Sequence, residues 1–205
     1  MNFSLTERLE DKVVIEGEKY PLDLSFDNVL RVLELFSDED FTVIERLDIA
    51  FSMLVEDGPD LSINDKDHLL SFIFKEYVGI DFSDRTPSTK KKTYDLYEDA
   101  EFIYASFLQD YNIDLINEHG KLHWKKFNAL IFGLGEKTKL KEVIRIRTME
   151  VPKPNKYNAK HRKEIIDLKR QYRLKLPGNA EHTLHAFNQA MADLFKATKP
   201  LKEGG

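Results

Sequence analysis

The residues whose types and spacing could do chemistry are two histidine pairs, one glycine-lysine-threonine run and a cluster of basic side chains. His119 and His123 stand four apart, and His182 and His185 three apart. Either pair could offer two imidazoles to a metal ion, but zinc is held by three or four ligands that converge. Gly120 interrupts the first pair, no acidic residue stands at a suitable offset, and the second pair lies in the C-terminal tail. Both pairs therefore read as surface histidines. Gly133-Leu-Gly-Glu-Lys-Thr138 has the composition of a phosphate-binding loop. That loop requires Gly-x-x-x-x-Gly-Lys-Ser/Thr between a strand and a helix, so that backbone amides encircle the phosphates. Here Glu136 separates Gly135 from Lys137, and a helical pattern precedes the run. Nucleotide binding is not expected.

Other catalytic patterns are absent. The chain has no Gly-x-Ser-x-Gly, no His-Glu-x-x-His and no cysteine, which removes the nucleophile elbow, the zinc-protease helix and thiolate chemistry. Carboxylates are plentiful, but they lie in acidic, solvated helices, and a pair of them means nothing without a pocket. The expectation is a protein that is not an enzyme and needs no cofactor or metal.

The basic cluster is the most prominent polar feature. Between Lys153 and Lys175 stand Lys156, Lys160, Arg162, Lys163, Lys169, Arg170 and Arg173, opposed only by Glu164 and Asp167. Such a segment can follow a nucleic-acid backbone or dock on an acidic protein. Its aromatics are too few and scattered for a base-stacking platform, so a protein partner is favoured and these residues are the candidate partner-binding set. Lys90–Lys92, in a turn-rich stretch, is a second candidate. Charge is divided along the chain: residues 1–85 carry 8 Lys/Arg against 21 Asp/Glu, net −13, and the remainder 23 against 15, net +8. Head-to-tail self-association is one reading of that asymmetry, a polyanionic partner another, and two solvated faces a third.

The elements that must position these residues are mostly helical. Val13-Val-Ile15 and Tyr20-Pro-Leu22 flank Glu16-Gly-Glu-Lys19 and predict a small β-hairpin, to which Asn2–Leu5 could add a strand. Apolar spacing predicts helices over Ser25–Phe36, Asp38–Val55, with Ser37 and Asp40 as a weak capping box, and Asn64–Val78, ended by Gly79. The third is apolar nearly all round and is expected to be central. Tyr94–Tyr111 follows, with Glu98, Asp99 and Glu101 off its apolar stripe. His123–Leu134, which carries the single tryptophan, Trp124, and a helix capped by Thr138 are expected to pair as an αα-hairpin. Tyr104, Phe107, Trp124, Phe127, Leu130, Ile131 and Leu134 form the expected core of this part, with Tyr104 and Phe107 beside Trp124. Val151-Pro-Lys-Pro breaks the pattern, and weaker amphipathic stretches cover 156–174 and 183–197.

The fold class expected is mainly α: a helical, bundle-like domain over residues 1–150 with an N-terminal β-hairpin, and a basic helical tail over 151–205. No apolar run reaches about 18 residues, the length a transmembrane helix needs, and the first residues lack the order of a secretory signal. No membrane partner is expected, and a cytoplasmic location is the simplest reading.

Tyr111-Asn-Ile-Asp-Leu, Leu122-His-Trp-Lys-Lys-Phe127, Gly133-Leu-Gly and Ile144-Arg-Ile-Arg147 together resemble the gene-product-fifteen family of tailed phages and prophages of Gram-positive bacteria. The resemblance covers about residues 10–150, with Leu122–Phe127 its most specific part. It implies a tail assembly chaperone of long-tailed, non-contractile phages, with the tape measure protein as client and the tail tube protein as a second partner. By the same resemblance the protein works in the host bacterial cytoplasm and is absent from the mature virion. It brings no catalytic residues. The rival readings are a structural tail component retained in the virion and a nucleic-acid-binding regulator using the basic tail.

Overall fold

A computed structural model describes residues 4–6, 8–9, 11–81 and 92–175. The protein is mainly α-helical, as its spacing indicates, with one two-stranded antiparallel sheet among the described residues. It folds as two compact units. The first takes the described residues as far as Asp81 together with His119–Phe127, and the second runs from Lys92 to Glu118 and from Asn128 to Lys175.

In the first unit, strand β1 (Lys12–Ile15) pairs with β2 (Glu18–Pro21). Glu16 and Gly17, both at positive φ (52° and 88°), make the turn, a geometry that suits the twist of a hairpin. Alternation buries Val13 and Ile15 and leaves Val14 outside. The residues expected to add a third strand fall partly outside the described residues. Helix α1 (Phe26–Leu35) follows and packs on α2 (Val43–Leu54), which packs on α3 (Ile63–Ile73). The N-cap of α2 lies five residues later than the capping box expected at Ser37. The box is formed instead by Thr42, whose hydroxyl accepts from the Glu45 amide while the Glu45 carboxylate accepts from the Thr42 amide. Asp38 is spent on a tight turn, accepting from the Asp40 amide. A full-length carboxylate at the third helical position reaches the cap, whereas that of Asp40 does not.

Helix α3 widens into a π-turn over Phe74–Val78 and stops at Gly79, whose φ of 85° a side chain would resist. Leu70, Ile73 and Phe74 are buried, but Phe72 is exposed and Leu69 only half-buried. The helix thus has an inner and an outer face, and the expectation that it is surrounded is corrected: Phe72 packs on Tyr77 at the surface.

The second unit contains α4 (Ala100–Tyr111), the later part of α5 (Trp124–Gly133), α6 (Lys139–Thr148) and α7 (Ala159–Gln171). The boundary between units falls inside α5, after Phe127. Helix α6 packs chiefly against α4 and then α7, so the tight α5–α6 hairpin expected from the short connection is not the main contact. Ser106 explains the preference. Fully buried on α4, it accepts from the Leu140 amide at the start of α6 and so satisfies a helix N-terminal donor. The 183–197 stretch lies outside the described residues.

Candidate functional site

The densest polar site in the second unit is centred on Arg147, near the C-terminus of α6. Its guanidinium grips Asp99 with both oxygens, at 2.5 and 2.7 Å, and also donates to the Thr93 carbonyl. Its Nε donates to the Tyr172 carbonyl beyond α7. Asp99 is 1% exposed, and it also accepts from the Asp95 amide. A planar guanidinium can serve these partners at once because its donors diverge in a fixed fork. Asp95 beside it takes the amides of Tyr97 and Glu98 and the Lys92 ammonium, 2.7 Å away. Burial pushes the Asp95 carboxyl up, but those donors outweigh it and hold the group below its ordinary value.

Tyr172 and Lys169 complete the arrangement. Lys169 donates to the carbonyls of Arg147 and Met149, at 2.6 Å each, which caps the exposed end of α6. Lys139 approaches the Tyr172 hydroxyl at 3.2 Å and its ring face at 5.1 Å. Bonds to Glu142 and Tyr172 hold the Lys139 ammonium above its ordinary pKa.

The basic candidates therefore divide into two groups. Arg162 donates to the Pro152 carbonyl and Lys169 to α6, so both are spent inside the fold. Lys156, Lys160, Lys163, Arg170 and Arg173 are exposed. On the outer face of α7, Lys160, Lys163 and Arg170 are interleaved with Glu164 and Asp167, and Arg170 stands 3.7 Å from Asp167. The surface is less basic than the segment's composition suggests.

In the first unit, Trp124 is 4% exposed, its ring lies by Phe127, and its Nε1 donates to the Val78 carbonyl at 2.9 Å. Phe127 stacks on Phe26 with centroids 4.7 Å apart. Tyr104 and Phe107, expected beside Trp124, belong to the second unit. The buried indole needs an acceptor, and it finds one in the Val78 carbonyl at the π-turn that ends α3. Of the expected core, Phe107, Trp124, Phe127, Ile131 and Leu134 are buried, while Tyr104 and Leu130 are half-buried.

The candidates for chemistry are engaged in structure. His123 Nε2 stands 3.0 Å from Asp11, and its Nδ1 accepts from the Lys125 amide, making it a cap for α5. His119 packs on the Phe26 ring. No group of three or more potential ligands converges as a metal site among the described residues. In the Gly133–Thr138 run, the Gly135 amide, which would have to face a phosphate, donates to Asp110 at 2.7 Å. Thr138 is the N-cap residue of α6, as expected, but its hydroxyl donates to the Gly135 carbonyl and makes no side-chain cap bond. Lys92 is paired as described, whereas Lys90, Lys91, His182 and His185 lie outside the described residues. No described helix is long and apolar enough to cross a membrane.

Spacing alone does not pair Asp99 with Arg147, because Asp99 falls off the apolar stripe of its own helix. A signal existed. Arg147 follows Leu140, Val143 and Ile144 on the apolar face of α6, where an arginine needs a buried anion.

The described residues form a mainly helical chain in two units with a short β-hairpin. The family model described as "Bacteriophage Gp15 protein" matches residues 5–174, and the chain belongs to that family. No curated protein and no solved structure matches it.

Proposed function

We propose that this phage protein is a tail assembly chaperone that holds the tape measure protein and helps recruit tail tube subunits, acting in the host cytoplasm and without enzymatic activity. The family match over residues 5–174 carries the reading. Support comes from surface chemistry. Phe132 on α5 is 76% exposed, Ile116 is 65% exposed, and Leu108 on α4 is also exposed. Side chains of this kind suit transient cover of an amphipathic helix better than a permanent, dry interface.

The test is co-expression with tape measure fragments. The chaperone reading expects co-purification and a larger soluble fraction of the fragment, reduced when Phe132 becomes Ser. If neither solubility nor co-purification changes, the reading fails. Mass spectrometry of mature particles addresses the rival role: stoichiometric protein in the virion would make it a structural component.

A further inference from the structure

The segment after α6 is built as an arm that bonds mainly to itself before it meets the rest of its unit. Its start is tied locally: the Asn155 amide donates to Asn158, the Asn158 side chain donates to the Lys153 carbonyl, and Arg162 reaches back to Pro152. These bonds join residues 152–162 into one piece with the beginning of α7. Upstream, Met149 leaves helical geometry, with ψ at 133°, and Pro152 disfavours helical backbone at Val151. Only Met149, Glu150 and Val151 separate the end of α6 from the self-bonded piece.

The arm's docking is narrow and mostly polar. Ile165 is the buried residue of α7. The other attachments are Lys169 on the α6 carbonyls, Tyr172 against Arg147, Lys139 and the Phe102 ring, and the Lys175 amide on Glu98. Ile165, Lys169 and Tyr172 lie three to four residues apart, as one helix face should, and Lys175 continues the contact past the end of α7. With one buried aliphatic side chain on the helix, opening the arm sacrifices little apolar burial.

We infer that the arm of residues 152–175 exchanges between two copies of this chain, each copy's arm closing on the α4–α6 surface of the other. A second copy presents the same α6 carbonyls, Arg147, Lys139 and Glu98 to the incoming arm. The contacts of the described arm are therefore reproduced, and the backbone that has to change among the described residues is that of Met149, Glu150 and Val151, the condition under which element exchange is cheap. Exchange then depends on concentration, because one order of closure is intramolecular and the other bimolecular.

Tyr172→p-benzoylphenylalanine is prepared as full-length protein with natural nitrogen and with nitrogen-15. The two are unfolded in urea and refolded together to scramble the labels, and cross-links to α4 and α6 are sorted by mass. Mixed-label cross-links are expected to rise with protein concentration toward about half of the total, the statistical limit for a fully exchanged symmetric dimer. A dimer should appear over the same range by sedimentation. Same-label cross-links alone, at every concentration, would overturn the exchange, with or without a dimer formed elsewhere. Leu168→p-benzoylphenylalanine, at a position half-exposed beside the docking stripe, guards against loss of docking caused by the Tyr172 change. No cross-link to α4 or α6 from either position would overturn it as well.

Discussion

Arg147 and Asp99 form a two-point ion pair, with N–O distances of 2.5 and 2.7 Å, that joins the C-terminal turn of α6 to the residue preceding α4. The pair is largely buried, with side-chain exposures of 11% and 1%, so neither charge can fall back on water when the other is removed. Asp99→Ala and Arg147→Ala should each cost about 3–5 kcal/mol in urea unfolding, as expected for an orphaned buried charge. The double variant should cost less than the sum of the two. Arg147→Lys should recover only part of the loss, because an ammonium cannot reproduce the fork. Additive single losses would mean that the two side chains do not act as a unit.

Trp124 should report the stability of the first unit. It is the single tryptophan, it is buried, and it donates to Val78, so its emission should shift to longer wavelength on unfolding. Trp124→Ala should cost about 3–5 kcal/mol. Trp124→Phe keeps most of the apolar volume but leaves the Val78 carbonyl without that donor, and should cost about 1–3 kcal/mol. A Trp124→Ala protein with an unchanged melting temperature would show that the indole is not part of the packed core.

His123 makes the first unit sensitive to mild acid. Burial lowers its pKa, and the opposing attraction of Asp11 does not fully restore it. Its Nδ1 already accepts from the Lys125 amide, and a proton there would end that bond. The unfolded histidine titrates near its ordinary value of about 6.5, above the folded one. Between the two values the unfolded chain binds more protons, so stability is fully present above about pH 6.5 and is lost as pH falls below it. His123→Asn keeps a short capping acceptor without a titrating ring, and should flatten this part of the stability–pH curve. An equal slope in the wild type and in His123→Asn would locate the sensitivity elsewhere.

Much of the fold was legible in sequence because period and punctuation agree locally. Glu16-Gly17 between β-branched and aromatic segments located the hairpin, Gly79 located the end of α3, and the apolar spacing located every described helix to within a few residues, α2 and α4 apart. Those two begin late because Thr42–Glu45 and the turn anchored by Asp95 compete successfully with helix extension. Helix partnership was not legible. The stripe of α5 is continuous from Trp124 to Ile131, and nothing in its periodicity marks the change of unit after Phe127. Likewise, the composition of Lys153–Lys175 did not separate Lys169, which caps α6, from Lys163, which faces solvent. That distinction depends on which carbonyls the fold leaves unpaired.

Asn28 offers a test of how α2 ends without a glycine. The last carbonyls of a helix lack intrahelical donors. In α2, Leu54 receives the Asp23 amide at 3.0 Å and Met53 receives the Asn28 side chain at 2.6 Å, while the same Asn28 amide group also serves the Asp23 carbonyl. Asn28 is buried, so water cannot readily replace it. Asn28→Leu matches its size but removes both donors, and should cost about 1–3 kcal/mol. Asn28→Asp should cost more near neutral pH, because it sets a carboxylate against two carbonyl oxygens in a site with little water. It should recover as the pH falls and the group becomes protonated and able to donate once. Thermal melts of the two variants at pH 7 and pH 4.5 provide the comparison. If Asn28→Asp is no less stable than Asn28→Leu at neutral pH, the side chain is not acting as the donor that closes α2.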